Sequence, residues 1–226
     1  MTTDQPAALA EAFPALRAAL EAVADPNKVE GMEAYQKNQF RFLGVTSPNR
    51  KRAQKQFVQA GKGCSARELL DAADRCWAQP EREFQYVGAD LLRRWANVLT
   101  AADIDRVERL IVTKSWWDTV DALAAHVVGP IVLTDRPLLA AVLDRWLAGD
   151  DMWLARTSIL HQLTYKDATD PERLFGACDA RGSSSEFFIR KALGWALRQY
   201  ARTDPEAVRA YVDAYRERLS GLTIHE

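Results

Sequence analysis

Residues 65–97 read SARELLDAADRCWAQPEREFQYVGADLLRRWAN, and this stretch predicts the fold because it describes two helices in succession. Ser65 followed by Glu68 has the residue types of a capping box, in which two side chains satisfy free N–H groups at a helix start. Apolar residues then recur at three- and four-residue spacing, at Leu69, Ala73, Cys76 and Trp77. That spacing places them on one helix face, and we predict two antiparallel helices over Ser65–Asn97.

The same signals recur along the chain. Helix starts are indicated at Ser47-Pro48, Thr100 with Asp103, Asp170-Pro171, Ser183 with Glu186, and Asp204-Pro205. Three further stretches read as pairs of antiparallel helices: Ala102–Val128, Asp135–Tyr165 and Asp170–Arg202. No run alternates apolar and polar residues as a strand would, and the glycines Gly44, Gly61 and Gly129 (before Pro130) are expected at helix ends or turns.

These patterns predict an all-α fold. Helical pairs in succession are typical of an α-α superhelix, a solenoid of degenerate HEAT-like helical repeats with a long concave surface. We expect one domain over residues 1–226, because no linker or change of composition interrupts the chain. A compact, irregular helical bundle is the alternative.

Composition excludes several classes of protein. The 226 residues are 48% hydrophobic and 27% charged, as in an ordinary soluble protein. The best candidate for a membrane span, Ala122–Leu133, is too short and is interrupted by polar and helix-breaking residues. The first ten residues lack the basic segment of a signal peptide, so we expect a cytoplasmic protein with no membrane partner. The cysteines and histidines have no ligand spacing, and we expect no metal and no cofactor.

The formal net charge of −1 hides an uneven distribution. No acidic residue lies between Ala34 and Arg67, whereas eight basic residues do: Lys37, Arg41, Arg50, Lys51, Arg52, Lys55, Lys62 and Arg67. A basic face that binds nucleic acid is one interpretation. A solvated basic run is the other.

Three groups of residues carry the functional hypothesis. On a helix, Trp117 and Asp121 lie one turn apart on the same face, beside a buried stripe that includes Trp116 and Val120. An acidic side chain beside a buried stripe does not add to stability, so it indicates a functional site. The alternative is that Trp117 belongs to the core and that Asp121 is a solvated surface acid.

The second group is centred on Arg156, which interrupts an apolar stripe on the helix after Asp150-Asp151. A guanidinium there needs a carboxylate, a phosphate or solvent, because leaving a charged group buried and unpaired is costly. Its interpretation stays open between a structural ion pair, a phosphate clamp and an arginine that orients a catalytic acid.

The third group lies on a helix predicted over Ser184–Arg202. One flank presents Lys191, Trp195, Arg198 and Arg202 at helical spacing, and cations around an indole are typical of a nucleic-acid surface. Gly194 lies between Lys191 and Arg198, where a backbone could approach closely. No known nucleotide-binding or hydrolase motif is present.

From Met32 to Tyr211 the chain resembles the AlkD-type DNA alkylation-repair glycosylases, a family of HEAT-like repeat proteins. The resemblance rests on separate segments in the same order: Tyr35–Gly44, Thr46–Arg50, Pro80–Gln85, Thr113–Asp121 and Glu186–Arg198. It implies that Asp121 is the catalytic aspartate, that Arg156 lies near it, and that Trp117 and Trp195 flank the damaged nucleotide. Tyr35 matches an aromatic residue on the lesion side.

The resemblance further implies a monofunctional glycosylase that removes positively charged N3- or N7-alkylpurines, such as 3-methyladenine and 7-methylguanine, from duplex DNA in base excision repair. It would act as a monomer without a cofactor, in the cytoplasm and at the nucleoid when bound to DNA. Beside Tyr35, the candidate DNA contacts rest mainly on the charge pattern and are Lys37, Arg41, Arg50, Lys191, Arg198 and Arg202. The alternative is a non-catalytic HEAT-repeat module that senses DNA structure or scaffolds proteins.

Overall fold

The computed structural model describes residues Ala8–Glu226, and their regular structure is helical. Within this range the only strand-like feature is an isolated bridge between Arg41 and Glu81. The predicted all-α class is confirmed. No helix in the described part of the chain is both long and apolar enough to cross a membrane.

The chain forms two compact units, the first ending at Leu99 and the second spanning Thr100–Glu226. The prediction of a single domain stays a prediction. The helices of unit 1 are α1 (Ala8–Glu21), α2 (Pro26–Tyr35), α3 (Ser47–Ala53), α4 (Lys55–Ala60), α5 (Ala66–Ala78) and α6 (Arg82–Arg94). Ser65 and Glu68 form the predicted capping box at the start of α5. Helices α5 and α6 pack against each other, and their buried apolar faces form much of the core of this unit.

Unit 2 contains nine further α-helices and one π-helical turn in the described residues. They are α7 (Ile104–Val112), α8 (Trp117–Leu123), the π turn (Ala124–Val128), α9 (Gly129–Thr134), α10 (Arg136–Ala148), α11 (Met152–Leu160), α12 (Pro171–Arg181), α13 (Phe187–Tyr200), α14 (Pro205–Tyr215) and α15 (Gly221–His225). The core of this unit gathers apolar residues of α11, α12 and α13, with Leu160 and Leu193 fully buried.

Each of the four stretches predicted to hold a helical pair contains two helices that pack together, and their antiparallel direction stays a prediction. Helices α5 and α6, α7 and α8, α10 and α11, and α12 and α13 follow each other through short connections and pack together. Asp170 and Asp204 cap α12 and α14 with their side chains, and a proline follows each of them. The sequence signals were correct here because a side-chain cap and the proline after it are local features.

Two predicted boundaries are wrong. Gly129-Pro130 does not end a helix, because the N–H of Gly129 bonds to the carbonyl of Ala124, five residues earlier. This wider turn continues the helical run, and Pro130 lies in the first turn of α9, where a proline is tolerated. Helix α13 begins at Phe187 without a side-chain cap and ends at Tyr200, so the Ser183–Glu186 start is not formed and Arg202 lies beyond the helix.

Candidate functional site

Asp121 and Arg156 form a buried, bidentate ion pair in unit 2. Arg156 donates from Nε to Oδ1 of Asp121 at 2.7 Å and from Nη2 to Oδ2 at 2.8 Å. Asp121 lies in the second turn of α8. Asp151 caps α11 with its side chain, which fixes the start of the helix one turn before Arg156. In this structure the partner of Arg156 is the carboxylate of Asp121, a contact that fits both a structural ion pair and an arginine that orients a catalytic acid.

A third hydrogen bond extends this pair to another helix. Nη1 of Arg156 donates to the backbone oxygen of Phe188, in the first turn of α13. One guanidinium therefore joins α8, α11 and α13. Only 4% of Arg156 is exposed, and a buried charge of this kind requires partners on every side.

The environment of Asp121 acts on its acidity in opposite directions. Burial raises the pKa of Asp121, because a charged carboxylate loses solvation, while the hydrogen bonds from Arg156 lower it and the nearby charge of Asp118 raises it. Burial is the largest of these effects. Arg156 therefore helps to keep this carboxylate charged in a place where an isolated one would tend to take up a proton.

A cluster of three aromatic rings reaches the ion pair through Phe188. The ring centroids of Trp116, Trp153 and Phe188 lie 5.0–5.7 Å from one another, and the guanidinium carbon of Arg156 lies 5.8 Å from the Phe188 centroid. Trp153 and Phe188 received no role in the sequence analysis. The sequence could have indicated a role for Trp153, because it lies three residues before Arg156 and therefore shares a helix face with it.

The two tryptophans assigned from the family resemblance lie on different helices of unit 2. Trp117 is the first residue of α8, so it lies one turn before Asp121 on the same face, as predicted. Trp195 lies on α13, two turns after Phe188, and packs partly buried against the core of the unit. The arginine bond to Phe188 therefore links the helix of Trp195 to the helix of Asp121.

The basic flank of α13 has an acidic partner within the protein. Nζ of Lys191 lies 2.8 Å from Oε1 of Glu226, and Nη1 of Arg198 donates to the backbone oxygen of Glu226 at 2.7 Å. Between them, a Cβ atom on Gly194 would lie 2.7 Å from the backbone oxygen of Thr223. The predicted close approach of a backbone at Gly194 does occur, and the backbone is that of the chain itself. Arg202 is exposed beyond the end of α13.

In unit 1, three candidate DNA contacts lie on or after the end of α2. Tyr35 is the last residue of α2 and is 68% exposed. Lys37 and Asn38 follow in a turn with φ of 58° and 57°, a left-handed conformation that is uncommon outside glycine. The side chains of Lys37 and Arg41 are exposed, as a phosphate contact requires.

Arg50 differs from the other candidates because it is buried. It is 9% exposed, and Nη1 donates to Oδ2 of Asp90 at 2.7 Å and to Oε1 of Gln54 at 3.0 Å. Its guanidinium also lies over the ring of Tyr86. These contacts make Arg50 a structural ion-pair partner, and we remove it from the candidate phosphate contacts.

The loop that follows Arg41 is held by a buried carboxylate that the sequence analysis missed. Oε1 of Glu83 accepts hydrogen bonds from the backbone N–H groups of Leu43, Gly44 and Val45 at 3.0–3.1 Å. Burial raises the pKa of Glu83, and these hydrogen bonds lower it. Gly44 has φ of 83° and passes so close to the backbone of Asp25 that a Cβ atom would not fit. The hydrogen bonds to Glu83 and the tight contact at Gly44 therefore restrict this loop to one backbone conformation.

Metal ligands do not cluster in the described residues: no group of three or more histidine, cysteine or acidic side chains could hold an ion there. Cys76 and Cys178 are buried free thiols. Burial lowers the pKa of His161 to about 4, and its Nδ1 lies 2.7 Å from the backbone oxygen of Ser158.

Comparison with known proteins gives a specific result. The sequence pattern of a family described as DNA alkylation repair enzyme matches residues 16–226. The chain belongs to this family. Among solved structures, it is similar to "Predicted DNA alkylation repair enzyme from Enterococcus faecalis", with 29% sequence identity, a TM-score of 0.82, and coverage of 89% of this chain and 93% of that one. No curated protein matches the chain significantly.

Membership of the DNA alkylation repair enzyme family confirms the resemblance noted in the sequence. It supports a role in DNA repair and implies DNA as the partner. The match includes both units and therefore includes the Asp121–Arg156 pair, the aromatic rings beside it and the exposed cations of unit 1.

Proposed function

We propose that the protein is a monofunctional DNA glycosylase that hydrolyses the N-glycosidic bond of positively charged N3- and N7-alkylpurines in duplex DNA. The observation that carries this proposal is the buried carboxylate of Asp121, which Arg156 holds in a fixed orientation one helical turn from Trp117. Family membership supports a role in DNA repair. The buried, oriented carboxylate of Asp121 supports hydrolysis of the N-glycosidic bond as the reaction.

Hydrolysis of the N-glycosidic bond of a cationic alkylpurine needs few catalytic groups beyond a carboxylate. A purine alkylated at N3 or N7 carries a positive charge and leaves without protonation. The developing oxocarbenium ion on the deoxyribose then requires stabilisation, which a nearby carboxylate provides. The two hydrogen bonds from Arg156 use two of about four lone-pair positions on the carboxylate. The others are available to orient the attacking water.

The tryptophans fit the same reaction. The face of an indole attracts a cation, and Trp117 lies on the same helix face as Asp121. We assign Trp117 and Trp195 to contacts with the sugar and backbone of the damaged nucleotide. Tyr35, Lys37, Arg41 and Arg202 are assigned to DNA contacts, and so are Lys191 and Arg198 once Glu226 is displaced.

A non-catalytic DNA-binding module is the second candidate function. It is favoured by the three contacts of Arg156, because an ion pair that joins α8, α11 and α13 would also serve stability alone. In that case Asp121 would be needed for folding and not for base release.

The deciding experiment measures free 7-methylguanine and 3-methyladenine after incubation of methylated duplex DNA with excess protein. Asp121→Asn is expected to lower the single-turnover rate by about 10²-fold or more, the usual effect of removing a group that stabilises the transition state. Asp105→Asn is the control, because it removes an exposed carboxylate of α7 that lies outside the ion pair.

The outcomes separate the two functions. Release by the wild-type protein that is lost in Asp121→Asn, in a variant that still unfolds cooperatively, supports the glycosylase. Release no faster than the spontaneous reaction would overturn the enzyme assignment. Equal rates for the two variants would overturn the role given to Asp121.

A further inference from the structure

A cavity of about 250 Å³ lies in unit 2, between helices α10 and α12 and the turn that follows α11. None of its lining residues belongs to the Asp121–Arg156 site, and none was given a functional role from the sequence. Its volume is just below the range of about 300–1,000 Å³ that is usual for ligand pockets, so it fits a small molecule. The apolar part of its wall includes Pro137, Ala140 and Leu143 of α10.

Hydrogen bonds between its walls fix the shape of this cavity. Oη of Tyr165 donates to the backbone oxygen of Gly129 at 2.6 Å. Nε2 of Gln162 donates to the backbone oxygen of Asp170 at 3.2 Å, and Oε1 of Gln162 accepts from the backbone N–H of Asp170 at 2.8 Å. The turn between α11 and α12 is therefore tied at both ends, and the cavity is already formed before any ligand binds.

His161 supplies an unused hydrogen-bond acceptor to this cavity. Only 1% of His161 is exposed, and its Nδ1 carries the ring proton, because it lies 2.7 Å from the backbone oxygen of Ser158, which can only accept. Burial, assisted by the charges of Arg173 and Arg136, lowers the pKa of His161 to about 4. The ring is therefore neutral at pH 7, and Nε2 is an acceptor. Nε2 has no hydrogen-bond partner among the described residues, which is unusual for a buried polar group.

Two arginines supply unused donors to the same cavity. Nη2 of Arg136 donates to the backbone oxygen of Ala168, and Nη1 of Arg173 donates to Oδ1 of Asp144 at 2.9 Å. In the part of the chain that the structure describes, their other guanidinium nitrogens have no hydrogen-bond partner. The side chain of Asp144 is 66% exposed, so solvent screens its attraction for Arg173.

The charges of the lining residues favour a singly charged anion. The two cations, Arg136 and Arg173, and the one carboxylate, Asp170, leave a formal charge of +1 while His161 is neutral. A carboxylate has one negative charge, whereas a phosphate monoester has about −1.5 to −2 at pH 7. The planar guanidinium group also matches the geometry of a carboxylate. An organic carboxylate is therefore the anion that these residues fit best.

We propose that this cavity binds a small organic carboxylate that has an apolar body and a hydroxyl group. The carboxylate accepts hydrogen bonds from Arg136 and Arg173, and the hydroxyl donates to Nε2 of His161. The apolar body packs against Ala140 and Leu143. A DNA duplex cannot enter a cavity of this volume, so the site is separate from the proposed DNA surface, and the inference does not rest on the proposed function.

Isothermal titration of the full chain with 3- and 4-hydroxybenzoate tests the proposal, because these probes hold a carboxylate and a hydroxyl at two different separations on an apolar ring. The better probe should bind about 2- to 10-fold more tightly than benzoate, the usual effect of one neutral hydrogen bond. It should bind about 10-fold or more tightly than the matching hydroxybenzamide, which lacks the charge. No saturable binding of either hydroxybenzoate would overturn the inference, and so would equal affinity for the better probe and benzoate.

Variants locate the bound probe. His161→Phe keeps a ring and removes Nε2, so it should bind the hydroxybenzoate no more tightly than benzoate, with the affinity for benzoate unchanged. Arg136→Gln with Arg173→Gln should weaken the binding of both compounds by about 10-fold or more. Arg209→Gln, which removes an exposed arginine of α14, is the control and should bind both as the wild type does.

Cooperative urea unfolding checks that each variant is folded, and the comparison of ligands in the wild-type protein does not depend on any variant. A preference for the hydroxybenzoate that persists in folded His161→Phe would contradict the role of His161. Unchanged affinity in the folded double arginine variant would show that the probe binds elsewhere and would overturn the inference.

Two competitors test for other occupants. Undamaged duplex DNA should not displace the probe, and inorganic phosphate should bind more weakly than the hydroxybenzoate. Displacement by the duplex would assign the two arginines to a DNA surface, and tighter binding of phosphate would assign the cavity to another anion. Either result would overturn the choice of an organic carboxylate.

Discussion

Arg156 holds both carboxylate oxygens of Asp121, and its remaining nitrogen is bonded to the backbone of Phe188. The same guanidinium therefore connects three helices and orients the acid on which the proposed reaction depends. If the proposed function holds, stability and catalysis share one contact, and substitutions at this pair are expected to affect both.

The first prediction concerns the stability of this ion pair. Arg156→Met leaves the carboxylate of Asp121 buried without its partner and should lower the free energy of unfolding by about 3–5 kcal/mol. Adding Asp121→Asn removes the unpaired charge and should recover part of that loss. Urea unfolding of both single variants and the double variant measures the coupling. Strict additivity of the two effects would contradict the prediction.

The second prediction concerns pH. In the proposed reaction the carboxylate of Asp121 must be charged to stabilise the cation, and burial raises the pKa of Asp121. Base release should therefore fall as the pH decreases, with a midpoint above the usual range of an aspartate, and level off at higher pH. Because the raised pKa favours the protonated form in the folded state, ionisation of Asp121 should reduce stability as the pH rises through that pKa.

Single-turnover release, corrected for the spontaneous reaction at each pH, checks this profile. The residual activity of Asp121→Asn serves as the reference, because it lacks the titrating group. A wild-type profile with its midpoint in the ordinary aspartate range would show that Arg156 outweighs the effect of burial.

The third prediction concerns Glu226. Its side chain neutralises Lys191, and the hydrogen bond from Lys191 lowers the pKa of Glu226. Glu226→Gln should release Lys191 and remove the charge that attracts Arg198, whose hydrogen bond to the backbone oxygen remains. The affinity for undamaged duplex should then rise by about 2- to 5-fold, the size expected for exposed ion pairs of less than 1 kcal/mol. Glu217→Gln, which removes an acid from a nearby turn, is the control. Equal affinity for Glu226→Gln and wild type would show that these cations do not contact DNA.

The helices were predictable from the sequence because their determinants are local. The Ser65–Glu68 box, the Asp170 and Asp204 caps and the three- and four-residue apolar spacing all act within a few residues. The proximity of Trp117 to Asp121 was predictable for the same reason.

The partners of buried charges were not predictable from local patterns. Nothing around Arg50 indicated that Asp90, 40 residues later, would pair with it. The same is true of Glu83 and the loop at Gly44, and of Glu226 and the basic flank of α13. In each case the partner comes from a distant segment, and only packing brings the two together.

The π turn at Ala124–Val128 has a consequence for how relatives of this chain are compared. It accommodates one residue more than a regular helix would, directly after the helix that carries Asp121. If the same residues wound as an ordinary α-helix, α9 would rotate by about 100° relative to α8, which would turn the buried Ile131 and Val132 away from the core. A relative that is one residue shorter in this segment is therefore expected to have an ordinary helical turn in place of the π turn, with the residues of α9 facing the core as they do here.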